Sequence, residues 1–257
     1  MTGLLLRLAG PLQSWGERSM FTADRDTAPF PTRSALIGMF AAAQGITRHD
    51  TAALHRYAAL EFTVRIDRPG VRLIDYHTVG GGQPKEKTAA TSGGSHKGTA
   101  VVTRRHYLAD AVFVIAVSGP DQATADLATA LHQPHWAPYL GRRSCTPDEP
   151  LLLRTNVTDP VDELLHHVPL SPDPERPAPQ DGTVPVTFLW ERAPTSPAPG
   201  ADTLTVHDVP HSFAPHDRSH GKRRLHRTVE RLPTSLAVGS HPLHQRLIDY
   251  ATKKVPA

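Results

Sequence analysis

The octapeptide "PYLGRRSC", residues 138–145, sets Arg142 and Arg143 side by side behind a glycine and an aromatic. Adjacent guanidiniums repel each other and are rarely buried, so they face either water or an anion. Arginine forks onto phosphate oxygens in bidentate geometry, and glycine lets a backbone approach a ligand closely. From these residues alone a solvated basic turn is the plainer reading. A second candidate is the helix mouth Thr32-Arg33-Ser34, where free N–H groups, a hydroxyl and a guanidinium converge on the positive end of a dipole. The alternative there is a simple threonine cap beside a surface arginine. In "DYHTV", residues 75–79, Tyr76 and His77 point to opposite faces of a strand, and an exposed ring can stack on a nucleic-acid base. Trp15 carries the same two readings, base platform or core aromatic. Metal-independent RNA cleavage needs a base for the 2′-hydroxyl and a cation for the phosphorane, and His96-Lys97 with Tyr76 offers those types. The chain has 16 histidines, of which His207, His211, His216 and His220 fall four or five apart, but Pro210 and Pro215 break the helix such a metal site needs. "GGGQPK", residues 80–85, has the glycines of a phosphate loop without its Lys-Ser/Thr or following helix, and no catalytic or metal motif of known spacing occurs. No cofactor is called for.

Composition narrows the class. The chain has 257 residues, 39% hydrophobic and 21% charged, enough for a real core. A formal charge of +3 is too small for wholesale coating of nucleic acid and leaves room for local patches. Such patches are Arg104-Arg105, Arg142-Arg143, Lys222-Arg223-Arg224 with Arg227, and Lys253-Lys254. A single cysteine, Cys145, excludes an internal disulfide framework. Apolar runs are short and the N-terminal leucines lack a basic n-region, which predicts a cytoplasmic protein with no membrane partner.

These residues need elements to hold them. Residues 4–8 read as a buried strand closed by Gly10-Pro11. "FPTRSALIGMFAAAQG" reads as a helix from Thr32 to the stop at Gly45, and a short second helix follows Asp50. Phe62, Val64 and Ile66 alternate with polar residues, as do Val71, Leu73, Asp75, His77 and Val79, which predicts two half-exposed strands. Residues 80–98 are Gly, Ser, Thr and Lys with no core pattern, a long excursion between strands. A buried strand at 111–117, a helix at 121–132 and a strand at 151–153 complete the order β-α-β-β-α-β. The fold expected is α+β, a ferredoxin-like palm of the kind shared with RNA-recognition domains. Nine of the 25 prolines lie between Pro169 and Pro199, so residues 156–257 read as a proline-rich insert with a small β-rich lobe near residues 184–190 and 204–209.

Taken in order, "LRLAGPLQSWG", "FPTRSALIG", "DYHTV" and "PYLGRRSC" resemble the CasD family, subunits of type I-E CRISPR Cascade complexes in the RAMP superfamily. The resemblance spans roughly residues 1–155. It implies a ferredoxin-like RNA-binding domain over those residues, with a β-hairpin thumb at about 80–102. It also implies a non-catalytic subunit that holds the 5′ handle of the CRISPR RNA and caps the backbone filament. Its partners would be that RNA, the backbone and large subunits, and target DNA through the complex. The handle contacts would fall on Gln13, Trp15, Arg33, Ser34, Tyr76, His77, Lys85, Arg142 and Arg143. A related branch cleaves precursor RNA itself with Tyr, His and Lys, types echoed by Tyr76, His96 and Lys97, so a metal-independent endoribonuclease is the alternative.

Overall fold

The leucine run forms β1 (Thr2–Ala9), buried from Gly3 onward. Side chains alternate across a strand, and here both sides are covered. Leu4, Leu6 and Leu8 enter one apolar cluster, while Leu5 enters another. In a computed structural model, the structure describes residues 2–16, 22–80, 82–88, 95–96, 98–194, 200–214, 217–237 and 241–252.

β1 is flanked on both sides by antiparallel partners, β7 (Val112–Gly119) and β8 (Leu152–Val157). Beyond β7 lies β4 (Glu61–Arg68), then β9 (Thr183–Trp190), β11 (Ser219–Pro233) and β10 (Asp202–Ser212). The result is one seven-stranded sheet in the order β10-β11-β9-β4-β7-β1-β8, antiparallel throughout. α1 (Arg33–Ala43) and α2 (Asp121–His132) cover one face with Leu36, Ile37, Phe40, Leu127 and Leu131. α3 (Pro160–His166) and α5 (Leu243–Thr252), the latter following the short α4 (Thr234–Ala237), cover the other with Leu164, Leu247 and Tyr250. Among the described residues no helix is long and apolar enough to cross a membrane.

The expected separate lobe takes a different form. Strands do occur near residues 184–190 and 204–209, but β9 pairs with β4 and extends the first sheet. Phe188 and Trp190 join one core cluster, Val206 and Leu225 the other, so the C-terminal strands share both existing cores. A fully buried ion pair fastens this side of the molecule. The Arg65 Nε lies 2.7 Å from Asp67, and its Nη atoms donate to the carbonyls of Leu164, Val168 and Pro169 at the end of α3.

A second, smaller sheet stands off the first. β5 (Val71–Val79) and β6 (Val101–Ala109) pair in unbroken antiparallel register, from Val71 opposite Ala109 to Val79 opposite Val101. The short β2 (Leu12–Gln13) and β3 (Asp24–Arg25) share the other edge of β6. The excursion expected over residues 80–98 therefore connects, at the tip, a hairpin whose arms are β5 and β6. That tip has local order of its own: the Thr88 hydroxyl donates to Lys85 O (2.6 Å) and accepts from Gly98 N (3.0 Å).

Candidate nucleic-acid interface

The turn that carries the arginine pair is held from both ends. Leu140 and Cys145 are buried in the core, and Cys145 O accepts from Leu140 N at 2.7 Å. Leu140 O in turn accepts from Ser14 N at 3.1 Å, tying the turn beneath the segment after β2. Where the two backbones touch stands Gly141, at φ +84°, and a Cβ there would lie 1.7 Å from the Ser14 carbonyl oxygen. Only glycine fits. Arg142 and Arg143 are left on the outer side.

Arg142 lies over Tyr107, its Cζ 4.5 Å from the ring centroid, and its Nη2 donates to Arg25 O at 3.2 Å. Together with Arg25 on β3, Arg105 on β6 and Arg48 in the loop after α1, the pair surrounds an open cavity of about 370 Å³, completed by Tyr139 and Ser144. Among the described residues none of these five guanidiniums forms an ion pair. Arg25 Nε and Arg142 Nη1 are buried and have no hydrogen-bond partner there. Burial, then the charges of Arg105 and Arg142, hold the Arg25 guanidinium below its ordinary value. Crowded cations with unmatched donors are stabilised when an anion enters, and phosphate oxygens match the guanidinium fork.

The hairpin joins this cavity at its root. Arg105 stands opposite Arg25 on one side and opposite Asp75 on the other. Register and alternation place His77 on the same hairpin face as Arg105, with Nδ1 3.6 Å from Asp75. Tyr76 is on the opposite face, 66% exposed, with the Arg104 guanidinium 5.5 Å from its ring centroid. Lys85 is exposed at the tip, in a 3-10 turn over Lys85–Lys87.

The residues expected to contact RNA thus divide. Tyr76, His77, Lys85, Arg142 and Arg143 are accessible, whereas Gln13, Trp15, Arg33 and Ser34 are buried inside the chain. Gln13 Nε2 donates to the carbonyls of Leu8 and Ala111, and its Oε1 accepts from Trp15 Nε1 at 3.2 Å. The Arg33 guanidinium donates to Tyr57 O, Leu60 O and Glu191. Ser34 Oγ lies 3.3 Å from Thr32 Oγ1, beside the cap of α1. The side chains of these four are buried, and their polar atoms have partners within the chain.

At the mouth of α1 the anion is a carboxylate of the chain itself. Asp208 of β10 already sits there, accepting from Arg33 N at 2.7 Å, and Arg223 grips the same carboxylate at 2.6 and 2.7 Å. Arg223 also reaches Glu191 at 2.9 Å, so two carboxylates and two guanidiniums close the charge locally. Among the described residues no cluster of His, Cys, Asp and Glu could hold a metal ion. His216 and Lys97 lie outside the described residues; His96 has Nδ1 2.7 Å from Thr88 O. Sequence reasoning missed Arg25 and Arg48 as site residues, and it noticed Arg105 only within the basic patch Arg104-Arg105.

At the root of the hairpin, on a mixed α/β fold built mostly of antiparallel sheet, stands a cluster of arginines that form no ion pair among the described residues. Residues 3–226 match the family of CRISPR-associated protein Cas5, and the chain belongs to that family. The match runs well beyond residue 155, through β9 and β10 and into β11. Among curated relatives, the CRISPR system Cascade subunit CasD of Escherichia coli (strain K12) is 40% identical over 183 residues, covering 66% of this chain and 79% of the relative. A solved chain of a CRISPR RNA-guided surveillance complex is 46% identical, covers 98% of this chain and 100% of its own length, and superposes with a TM-score of 0.85. A crystal structure of a Cas protein, 29% identical with 93% of this chain and 100% of its own covered, gives a TM-score of 0.60.

Proposed function

We propose that this chain is a non-catalytic subunit of a type I-E CRISPR effector that grips the 5′ handle of the CRISPR RNA and caps the backbone filament. The observation that carries this reading is the five-arginine cavity, which has no carboxylate paired to it among the described residues. Phosphates position a strand without reading its bases, and Arg142 and Arg143 supply that grip. His77 and Lys85 extend it along the hairpin. Tyr76, on the far face, offers a stacking surface.

We read the order β8-β1-β7-β4, with α1 joining β1 to β4 and α2 joining β7 to β8, as a ferredoxin-like palm. The β5–β6 hairpin is its thumb. Apolar side chains are exposed on both faces of β5, with Val71 72% and Ile74 51% exposed, which suits a strand packed between other subunits. The backbone and large subunits are the partners that cover it, and the target DNA is met through the assembled complex.

Incubation of the purified protein with repeat RNA in EDTA tests the absence of cleavage. The RNA is expected to be retained intact. Site-specific cuts that disappear in a His96→Ala variant would overturn the non-catalytic reading.

A further inference from the structure

One large aromatic side chain is left in solvent beside the cavity. Of the three tryptophans, Trp15 and Trp190 are buried, each with its Nε1 donating to an acceptor of the chain, whereas Trp136 is 45% exposed. Trp136 stands in the connection between α2 and the arginine turn, and the backbone there is fixed from several directions. His135 N and Trp136 N donate to Ala43 O (2.9 Å) and Ala42 O (3.3 Å), carbonyls at the C-terminal end of α1. The His135 ring packs on Gly45, where a Cβ would stand 3.1 Å from its Cγ. The same ring meets the Trp136 indole edge-on, with centroids 4.5 Å apart and planes at 82°. Pro134 and Pro138 flank the segment and restrict its backbone further.

Both chain segments that leave this junction run into the cavity wall. Arg48 lies three residues beyond Gly45 and Tyr139 three residues beyond Trp136, and both line the cavity. Three residues of extended chain span at most about 10–11 Å, which places Trp136 at the cavity's rim. Single-stranded nucleic acid is bound by such a pairing, in which cations take the phosphates and an aromatic ring takes the face of a base.

We infer that Trp136 is a stacking platform for a base of the RNA strand whose phosphates occupy the arginine cavity. This rests on the RNA-binding reading of the cavity. Stacking asks for a π-face and not for a particular pattern of donors, so the platform adds affinity with little choice of sequence. It also sets the path of the strand, which passes the cavity on the side of Arg48 and Tyr139. Stacking and phosphate binding leave different marks. Loss of a guanidinium that displaces counterions lowers the slope of log affinity against log salt, whereas loss of a ring leaves that slope in place.

The test uses the full chain and a fluorescein-labelled oligoadenylate, with anisotropy read across salt concentrations. Trp136→Ala is expected to weaken binding by about 5-fold to 150-fold with the slope unchanged. Trp136→Phe keeps a ring and should recover part of that loss. Unlabelled oligoadenylate should quench the tryptophan emission of the wild type, and the quenching should vanish in Trp136→Phe, which retains Trp15 and Trp190. Melting curves on each variant check the fold. If Arg142→Gln with Arg143→Gln weakens binding while Trp136→Ala binds as the wild type does, the platform is refuted and the cavity stands. A lowered slope in Trp136→Ala would show that the residue acts through the arginines, and would refute stacking as well. If neither variant changes binding, both readings fall.

Discussion

Gly141→Ala probes the contact that places the arginine pair. At φ +84° an alanine adopts the left-handed region at a cost of about 1–2 kcal/mol. Its Cβ would also stand 1.7 Å from the Ser14 carbonyl oxygen, a backbone atom that no rotamer change can move aside. The two segments must separate by more than an ångström. Ser14 is fixed by its N–H to Leu140 O and its hydroxyl to His106 O, so separation breaks or stretches both bonds. At about 0.5–1.5 kcal/mol each, these bring the expected destabilisation to about 2–5 kcal/mol. For a chain of this size that lowers the melting temperature by roughly 4–20 °C. Arg142 and Arg143 move with the turn, so RNA affinity measured by anisotropy at a temperature where the variant is folded should fall as well. A variant that melts and binds like the wild type would refute the close-approach argument.

Two further substitutions test the ionic supports. Arg65→Ala leaves Asp67 buried without its partner and uncaps three carbonyls, and should destabilise by about 3–5 kcal/mol in denaturant melts. Replacing both partners, Arg65→Met with Asp67→Leu, should recover much of that loss. Asp208→Ala should cost about 2–3 kcal/mol, short of the full penalty for breaking a buried pair because Glu191 still engages Arg223. Its denaturation midpoint, measured beside a Glu191→Gln variant and the double variant, gives the coupling directly.

The elements that position the site were legible where the apolar pattern is local. The leucines of β1, the Thr32 cap and Gly45 stop of α1, and the run that becomes β7 all stand where their patterns place them. β6 was not legible, because Arg104, Arg105 and His106 interrupt its alternation although Thr103 and Tyr107 are buried on it. The continuation of the sheet through β9 was hidden for another reason: pairing with β4 is a long-range choice that no local pattern records. At the site, Arg142 and Arg143 were visible as a doublet, but the cavity draws on four separate segments. Gln13, Arg33 and Ser34 show the converse limit. Residue type marks a polar group, and only the fold reveals whether its partner is another residue of the chain or a ligand.

The central claim is that the arginine cavity grips RNA phosphates. The most direct measurement is the salt dependence of RNA binding by Arg142→Gln with Arg143→Gln, compared with wild type. Loss of two phosphate contacts should weaken affinity and lower the log–log slope by about 1.4–1.8 while the melting curve stays in place. An unchanged affinity and slope would contradict the account and return the arginine pair to solvent.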